Sequence, residues 1–152
     1  EDGDIGAATW DLPVRDNDPN GDGRITLAEF EGQPVVLNFY ADWCSACEAE
    51  LPAFAAIEDQ FGDRVEFVLV NSQESGSWRR LVNDHGVNDW PIARDINGTG
   101  SNGSGLHGNL GGRGMPITAF YDAAGNLVEV NNGAMNESSL RQAIASNFGI
   151  VN

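Results

Sequence analysis

Apolar residues along the chain fall into short runs separated by glycine, asparagine and aspartate, and the runs are of two kinds. QPVVLNFYA (33–41) is an unbroken apolar stretch rich in Val, Leu, Phe and Tyr, and its shortness predicts a buried strand. VEFVLVN (65–71) predicts a second. Between them, SACEAELPAFAAIEDQF (45–61) places Ala, Leu, Phe and Ile at helical spacing. Pro52 is expected to bend that helix, because it lacks the N–H and crowds the preceding turn. SWRRLVNDHG (77–86) predicts a helix ending at Gly86, the usual left-handed stop. WPIARD (90–95) predicts a short strand, and TWDLPV (9–14) another. INGTGSNGSGLHGNLGGRG (96–114) breaks the pattern as a long Gly/Asn/Ser loop. PITAFYDAAGNLVEVNNG (116–133) restores it as a strand, a turn at Asp122 to Asn126 and a strand. NESSLRQAIASNFG (136–149) is an amphipathic helix with Asn136 or Ser138 as its N-cap.

A βαβ unit followed by a helix, a hairpin and a closing helix is an α/β fold, with parallel and antiparallel pairs in one sheet. The 152 residues, 41% hydrophobic, are enough for one domain with a proper core. No run approaches the 18 apolar residues of a membrane span. The opening EDGDIGAATW is acidic and polar, unlike a signal peptide, so a segment for export or anchoring would have been removed before this chain begins. The net charge of -15 argues against nucleic acid or anionic lipid as a partner. All eight basic residues are Arg. That balance suits a salty medium and equally a genome of biased codon usage; it does not indicate an activity.

Chemistry concentrates in ADWCSACEAELP (41–52), which holds both cysteines, Cys44 and Cys47. A metal site is one reading, but the only histidines are His85 and His107 and the spacing resembles no zinc finger. Two inert buried thiols are another. Redox chemistry is favoured by position. Cys44 falls where a buried strand gives way to a helix, so its sulfur faces unpaired backbone N–H groups at the positive helix end. Such a site favours thiolate and makes Cys44 the nucleophile, with Cys47 one turn later placed to resolve a mixed disulfide.

VVLNFYADWCSACEAELPAF resembles the active-site segment of the thioredoxin superfamily, and its neighbours are similar to those of the TlpA/ResA-like thiol-disulfide oxidoreductases. ITLAEFEGQPVVLNFY resembles the family's lead-in. Asn38 stands where thioredoxins carry a buried Asp, Glu50 and Pro52 match a C-x-x-E-x-P ending, and GMPITAFYDAAGNLV matches the Gly-x-Pro-x-Thr segment. The resemblance covers roughly residues 10 to 150. It implies a thioredoxin-like fold, a mixed central sheet flanked by helices, with an N-terminal β-hairpin extension. It implies a single domain over 1–152, with 1–32 as the extension and 33–150 as the core. It also implies that Pro116 is a cis-proline, exposing the Met115 backbone beside Cys44 to an extended substrate. Trp43 then packs beside the sulfurs and shields the site, or fills core. Glu50 relays a proton to Cys47, or is a helix-surface carboxylate. Two features depart from the family: Ser45-Ala46 between the cysteines, and a Gly/Asn loop with His107 and Arg113 where a helix is usual. His107 either approaches Cys44 and stabilises its thiolate or is a solvated loop residue.

DPNGDGRITLAE (18–29) fits the calcium loop of an EF-hand. Asp18, Asn20 and Asp22 occupy positions one, three and five, Gly23 the turn at six, the Arg24 carbonyl seven, Thr26 nine and Glu29 the bidentate closing position. No helix precedes it, and part of the match belongs to the family's Asp/Gly turn, so a structural Ca2+ and a plain acidic turn both stand.

The sequence therefore predicts an extracytoplasmic thiol-disulfide oxidoreductase (periplasmic, secreted or membrane-anchored) that acts on protein thiols and disulfides. It would need no cofactor for the redox step, would be recharged by an upstream redox partner, and would act as a monomer. Asp42, Glu48 and the acidic total oppose a strongly stabilised thiolate, so reductant is the expected direction. The alternative is a calcium-binding thioredoxin-fold interaction module whose disulfide is structural. A thiol peroxidase ranks last, for want of a Pro-x-x-x-Thr-x-x-Cys setting.

Overall fold

A computed structural model of the chain describes residues 10–73, 78–95 and 105–151. Strands are β1 (Asp11–Asp16), β2 (Arg24–Thr26), β3 (Val35–Ala41), β4 (Glu66–Gln73), β5 (Ile92–Arg94), β6 (Ile117–Tyr121) and β7 (Leu127–Asn132). Helices are α1 (Ser45–Phe61), α2 (Trp78–Asp84), α3 (Leu106–Asn109) and α4 (Glu137–Phe148), with a 3-10 turn at Leu27–Phe30. Among the described residues the strands form one mixed sheet in the order β2-β1-β5-β4-β3-β6-β7. β3 and β4 run parallel, β3 and β6 antiparallel.

Every residue of β3 is buried. Alternate side chains enter two separate cores: Val36 and Tyr40 join Leu51, Phe54 and Ile57 of α1, while Leu37 and Phe39 join Ile25 and Leu27 of the N-terminal hairpin. A strand covered on both faces has no polar face to alternate with, which is why its sequence is a continuous apolar run. α4 closes the first core with Leu140, Ala143 and Ile144.

The elements follow the hydrophobic pattern closely. α1 is continuous across Pro52. Asn136 caps α4 through a capping box with Ser139, and Gly149 ends it in the left-handed conformation at φ 70. Gly86, at φ 72, follows α2 as expected. The long loop needs correction. Residues 96–104 lie outside the described set, as do 1–9 and 74–77, but 105–114 are not open loop. Leu106 and Leu110 are buried in the second core, and α3 forms between them. Their apolar spacing of four was masked by the glycines around them. Among the described residues, no helix is long and apolar enough to cross a membrane.

Candidate active site

β3 ends at Ala41, and a turn closed by the Cys44 N–H on the Ala41 carbonyl (3.1 Å) leads into α1. Cys44 is the N-cap, in extended conformation, and its Sγ accepts the Cys47 N–H at 3.0 Å. The two cysteines are joined as a disulfide. Cys44 is 5% exposed and Cys47 0%. Ser45 and Ala46 are exposed, and Trp43 is 60% exposed, so it does not fill the core. An incoming reagent therefore meets Cys44 first.

Beneath the pair lies a polar network inside the apolar core. Glu50, one turn beyond Cys47 on the same buried face of α1, is 2% exposed and not a surface carboxylate. It accepts hydrogen bonds from Asn38 Nδ2 (2.6 Å) and the Met135 N–H (3.0 Å). Asn38 Nδ2 also donates to Thr118 Oγ1 at 3.2 Å, joining β3, α1 and β6. Burial pushes the Glu50 carboxyl up to about 7, against the lowering effect of its two donors.

The charges flanking the dithiol are paired by residues that sequence reading did not connect to it. Arg80 of α2 donates to the Asp42 carbonyl (3.0 Å) and forms ion pairs with the carboxylates of Asp42 (3.4 Å) and Glu48 (3.5 Å). His85 Nε2 lies 3.1 Å from Glu48, and this hydrogen bond is the main reason the Glu48 carboxyl titrates below its usual range. Only the fold brings α2 against the start of α1. His107, by contrast, is neither solvated nor in this group. It is 2% exposed, and its ring packs against Phe39, whose side chain lies in the core opposite α1.

β6 supplies the other wall. The register Ile117↔Phe39 carries Met115 and Pro116 toward the end of β3 from which Cys44 departs. The Met115–Pro116 peptide is cis. Met115 packs against the cluster that contains both cysteines.

The acidic loop lies apart from these residues. Gly21 and Gly23 adopt positive φ (73 and 84), coiling the loop so that Asp18 accepts the Gly23 N–H (2.6 Å) and the Asn20 N–H (3.2 Å). Asp22 accepts the Arg24 N–H, while the Arg24 side chain turns away to Asp11. Glu29 accepts from Asn20 Nδ2 and, in a capping box, from the Thr26 N–H. Among the described residues, no group of three or more His, Cys, Asp or Glu is gathered as a metal-binding set.

The AhpC/TSA family matches residues 6–130. The thiol-disulfide oxidoreductase ResA of Halalkalibacterium halodurans is 30% identical over 120 residues, covering 78% of this chain and 64% of its own length. The chloroplastic thioredoxin-like protein HCF164 of Oryza sativa subsp. japonica is 33% identical over 102 residues, covering 67% of this chain and 36% of its own. The chain thus spans less than two thirds of either relative. A secreted disulfide oxidoreductase of Mycobacterium tuberculosis, described as homologous to E. coli DsbE, superimposes with a TM-score of 0.72. It is 22% identical, and the match covers 93% of this chain and 98% of that one. The ResA-like resemblance and the thioredoxin-like fold expected from the sequence are both borne out.

Glu50 gives a measurable pH dependence. An unfolded Glu titrates near 4.3, so the folded protein retains a proton that the unfolded chain releases between that pH and about 7. The stability from a neutral Glu50 is fully present below the lower value and is lost as pH rises through the upper one. Glu50→Gln should escape this loss. Urea unfolding from acid to mildly alkaline pH should show the variant gaining on the wild type by about 4 kcal/mol.

Proposed function

The chain belongs to the AhpC/TSA family, and from that premise we propose that it is an extracytoplasmic thiol-disulfide oxidoreductase that reduces protein disulfides through Cys44 and Cys47. The observation that carries the reading is the placing of the pair. One sulfur caps a helix and keeps a small exposure, the other is fully buried behind it, and a buried carboxyl of raised pKa lies one turn further on. The names of the relatives support the chemistry, and a secreted structural neighbour supports the location.

In the reduced protein the Cys44 thiolate attacks one sulfur of a substrate disulfide, and the substrate S–S bond breaks. The first substrate thiolate leaves and takes up a proton. Glu50, titrating near neutrality, accepts the proton of Cys47. The Cys47 thiolate then attacks Cys44 Sγ and releases the second substrate thiolate. Two electrons pass to the substrate, whose two thiols take one proton from Cys47 by way of Glu50 and one from solvent, and the enzyme is left with the disulfide seen here. An upstream dithiol partner restores it. Trp43 and the Met115 backbone beside Pro116 form the surface on which the substrate segment docks.

Direction follows from how strongly the thiolate is held, because whatever stabilises the reduced form raises the potential. Cys44 Sγ has one hydrogen bond, from the Cys47 N–H, and Arg80 is engaged by Asp42 and Glu48. This is moderate stabilisation, and it favours a reductant.

The same reading gives the 18–29 loop a structural calcium ion held by Asp18, Asn20, Asp22, the Arg24 carbonyl, Thr26 and Glu29. Its support is the residue pattern and the coil set by Gly21 and Gly23. Glu29 would exchange its bond to Asn20 for the ion, tying the hairpin to the core.

Insulin reduction tests the main reading. Cys44→Ser should abolish turnover, and Cys47→Ser should accumulate mixed disulfides with substrate; faster alkylation of Cys47 than of Cys44 would reverse the assignment. Equilibration with a dithiol buffer should place the Cys44–Cys47 potential near that of thioredoxin, about -270 mV, whereas a value above about -150 mV would make the protein an oxidant. Calcium at a hundredfold excess over its Kd should raise the Tm of chelator-stripped protein by roughly 8 °C. Asp22→Ala should remove that response, and an unchanged wild-type Tm would leave only an acidic turn.

A further inference from the structure

The stretch between β5 and β6 holds two buried titratable side chains that the exchange reaction does not use. Asp95, 3% exposed, follows β5 directly, and its N–H donates to the Asn71 carbonyl of β4 at 3.1 Å. A carboxylate is costly to bury unless its oxygens are occupied, and both are. Oδ1 accepts the Leu106 N–H at 3.0 Å and Oδ2 the His107 N–H at 2.8 Å. The single turn of α3 is thereby pinned to the sheet.

His107 carries the connection onward. Its Nε2 lies 2.6 Å from the Gly114 carbonyl oxygen. A carbonyl can only accept, so the proton resides on Nε2. The ring meets Phe39 of β3 edge-on, 5.9 Å between centres. Its other support is the backbone of Gly112, where a Cβ would overlap the imidazole. Gly112 has no positive φ, so this contact, and not backbone conformation, excludes a side chain there. Gly114 immediately precedes Met115. On the far side, the Pro116 carbonyl accepts the Gly133 N–H at 2.9 Å. Met115 therefore hangs between two anchors, and among the described residues no hydrogen bond engages its own N–H or C=O.

We propose that Asp95 and His107 are positioning residues for substrate docking. They hold the Gly114 carbonyl turned inward, so that the Met115 backbone is preset as the edge offered beside the dithiol. The ligand this fits is an extended segment of a substrate protein flanking its disulfide cysteine, paired through main-chain hydrogen bonds, and not a small disulfide. The inference rests on the oxidoreductase reading above. Without the ring, the edge must be ordered at each binding event, which weakens docking and leaves the sulfur chemistry intact.

The test compares His107→Leu, Gly112→Ala and His107→Gln with the wild type, using insulin and the small disulfide dithionitrobenzoate. The Leu and Ala variants should raise KM for insulin about tenfold, the effect of one lost ordering hydrogen bond. Their kcat, their rate with dithionitrobenzoate and their Cys44–Cys47 potential should not move. Gln, whose side-chain N–H replaces that of Nε2, should restore KM. An unchanged KM in His107→Leu, with or without a fall in Tm, overturns the proposal, and so does an equal loss with both substrates. Should the wild type fail to reduce insulin, the oxidoreductase reading falls, and positioning is then judged from amide NMR. A Met115 resonance shifted in His107→Leu and Gly112→Ala, and restored in His107→Gln, sustains it; an unmoved one overturns it.

Discussion

A helix that starts at the end of a buried strand must find acceptors for its first N–H groups, and for α1 that acceptor is the sulfur of Cys44, 3.0 Å from the Cys47 N–H. The other features of the site depend on this contact. It fixes Cys44 at the rim and Cys47 beneath it, so the two thiols differ in access although they are three positions apart. It also aims the positive end of α1 at the Cys44 sulfur.

The sheet keeps that arrangement rigid. β3, buried on both faces, delivers the chain to the N-cap, and β6 beside it delivers Met115 and Pro116 to the same end. Asn38 and Thr118, opposite each other in this register, meet Glu50 from α1 below the cysteines. This network of hydrogen bonds ties together the elements that supply its members, although Asn38 Oδ1 is buried without a partner. Its carboxyl is correspondingly the group whose titration is displaced furthest toward neutrality. Below and behind the site that network is set in an apolar core; around the rim the side chains are charged. Arg80 offsets Asp42 and Glu48, which flank the dithiol in sequence, a local balance that the net charge of -15 does not reveal.

Much of this could be read from the residues in order. The strands, the long helix, its start at Cys44, the hairpin and the Asn136 cap follow from local periodicity and capping chemistry, because those depend on neighbours within a few positions. The cysteine pair and the Gly-x-Pro-x-Thr segment likewise carry their meaning in short spacings. What the local pattern could not give was depth. Glu50 looks like any carboxylate on an amphipathic helix, yet it is enclosed by Asn38 from one direction and by Met135, 85 positions away, from the other. His107 sits among glycines that suggest open loop, and it is buried because Leu106 and Leu110 pull the turn into the second core.

The sequence by itself determined most of the strands and helices and singled out the cysteine pair at the start of α1, since both rest on interactions short in sequence. The tertiary structure alone decided which side chains surround that pair. Arg80 reaches Glu48 across 32 positions, His85 across 37, and Asp95 meets the α3 backbone across a Gly/Asn-rich connection. Such contacts exist only after helices and strands have packed, when burial sets the charge state of Glu50 and proximity sets the partners of Glu48. Neither burial nor proximity of that range is encoded in any one stretch of the chain.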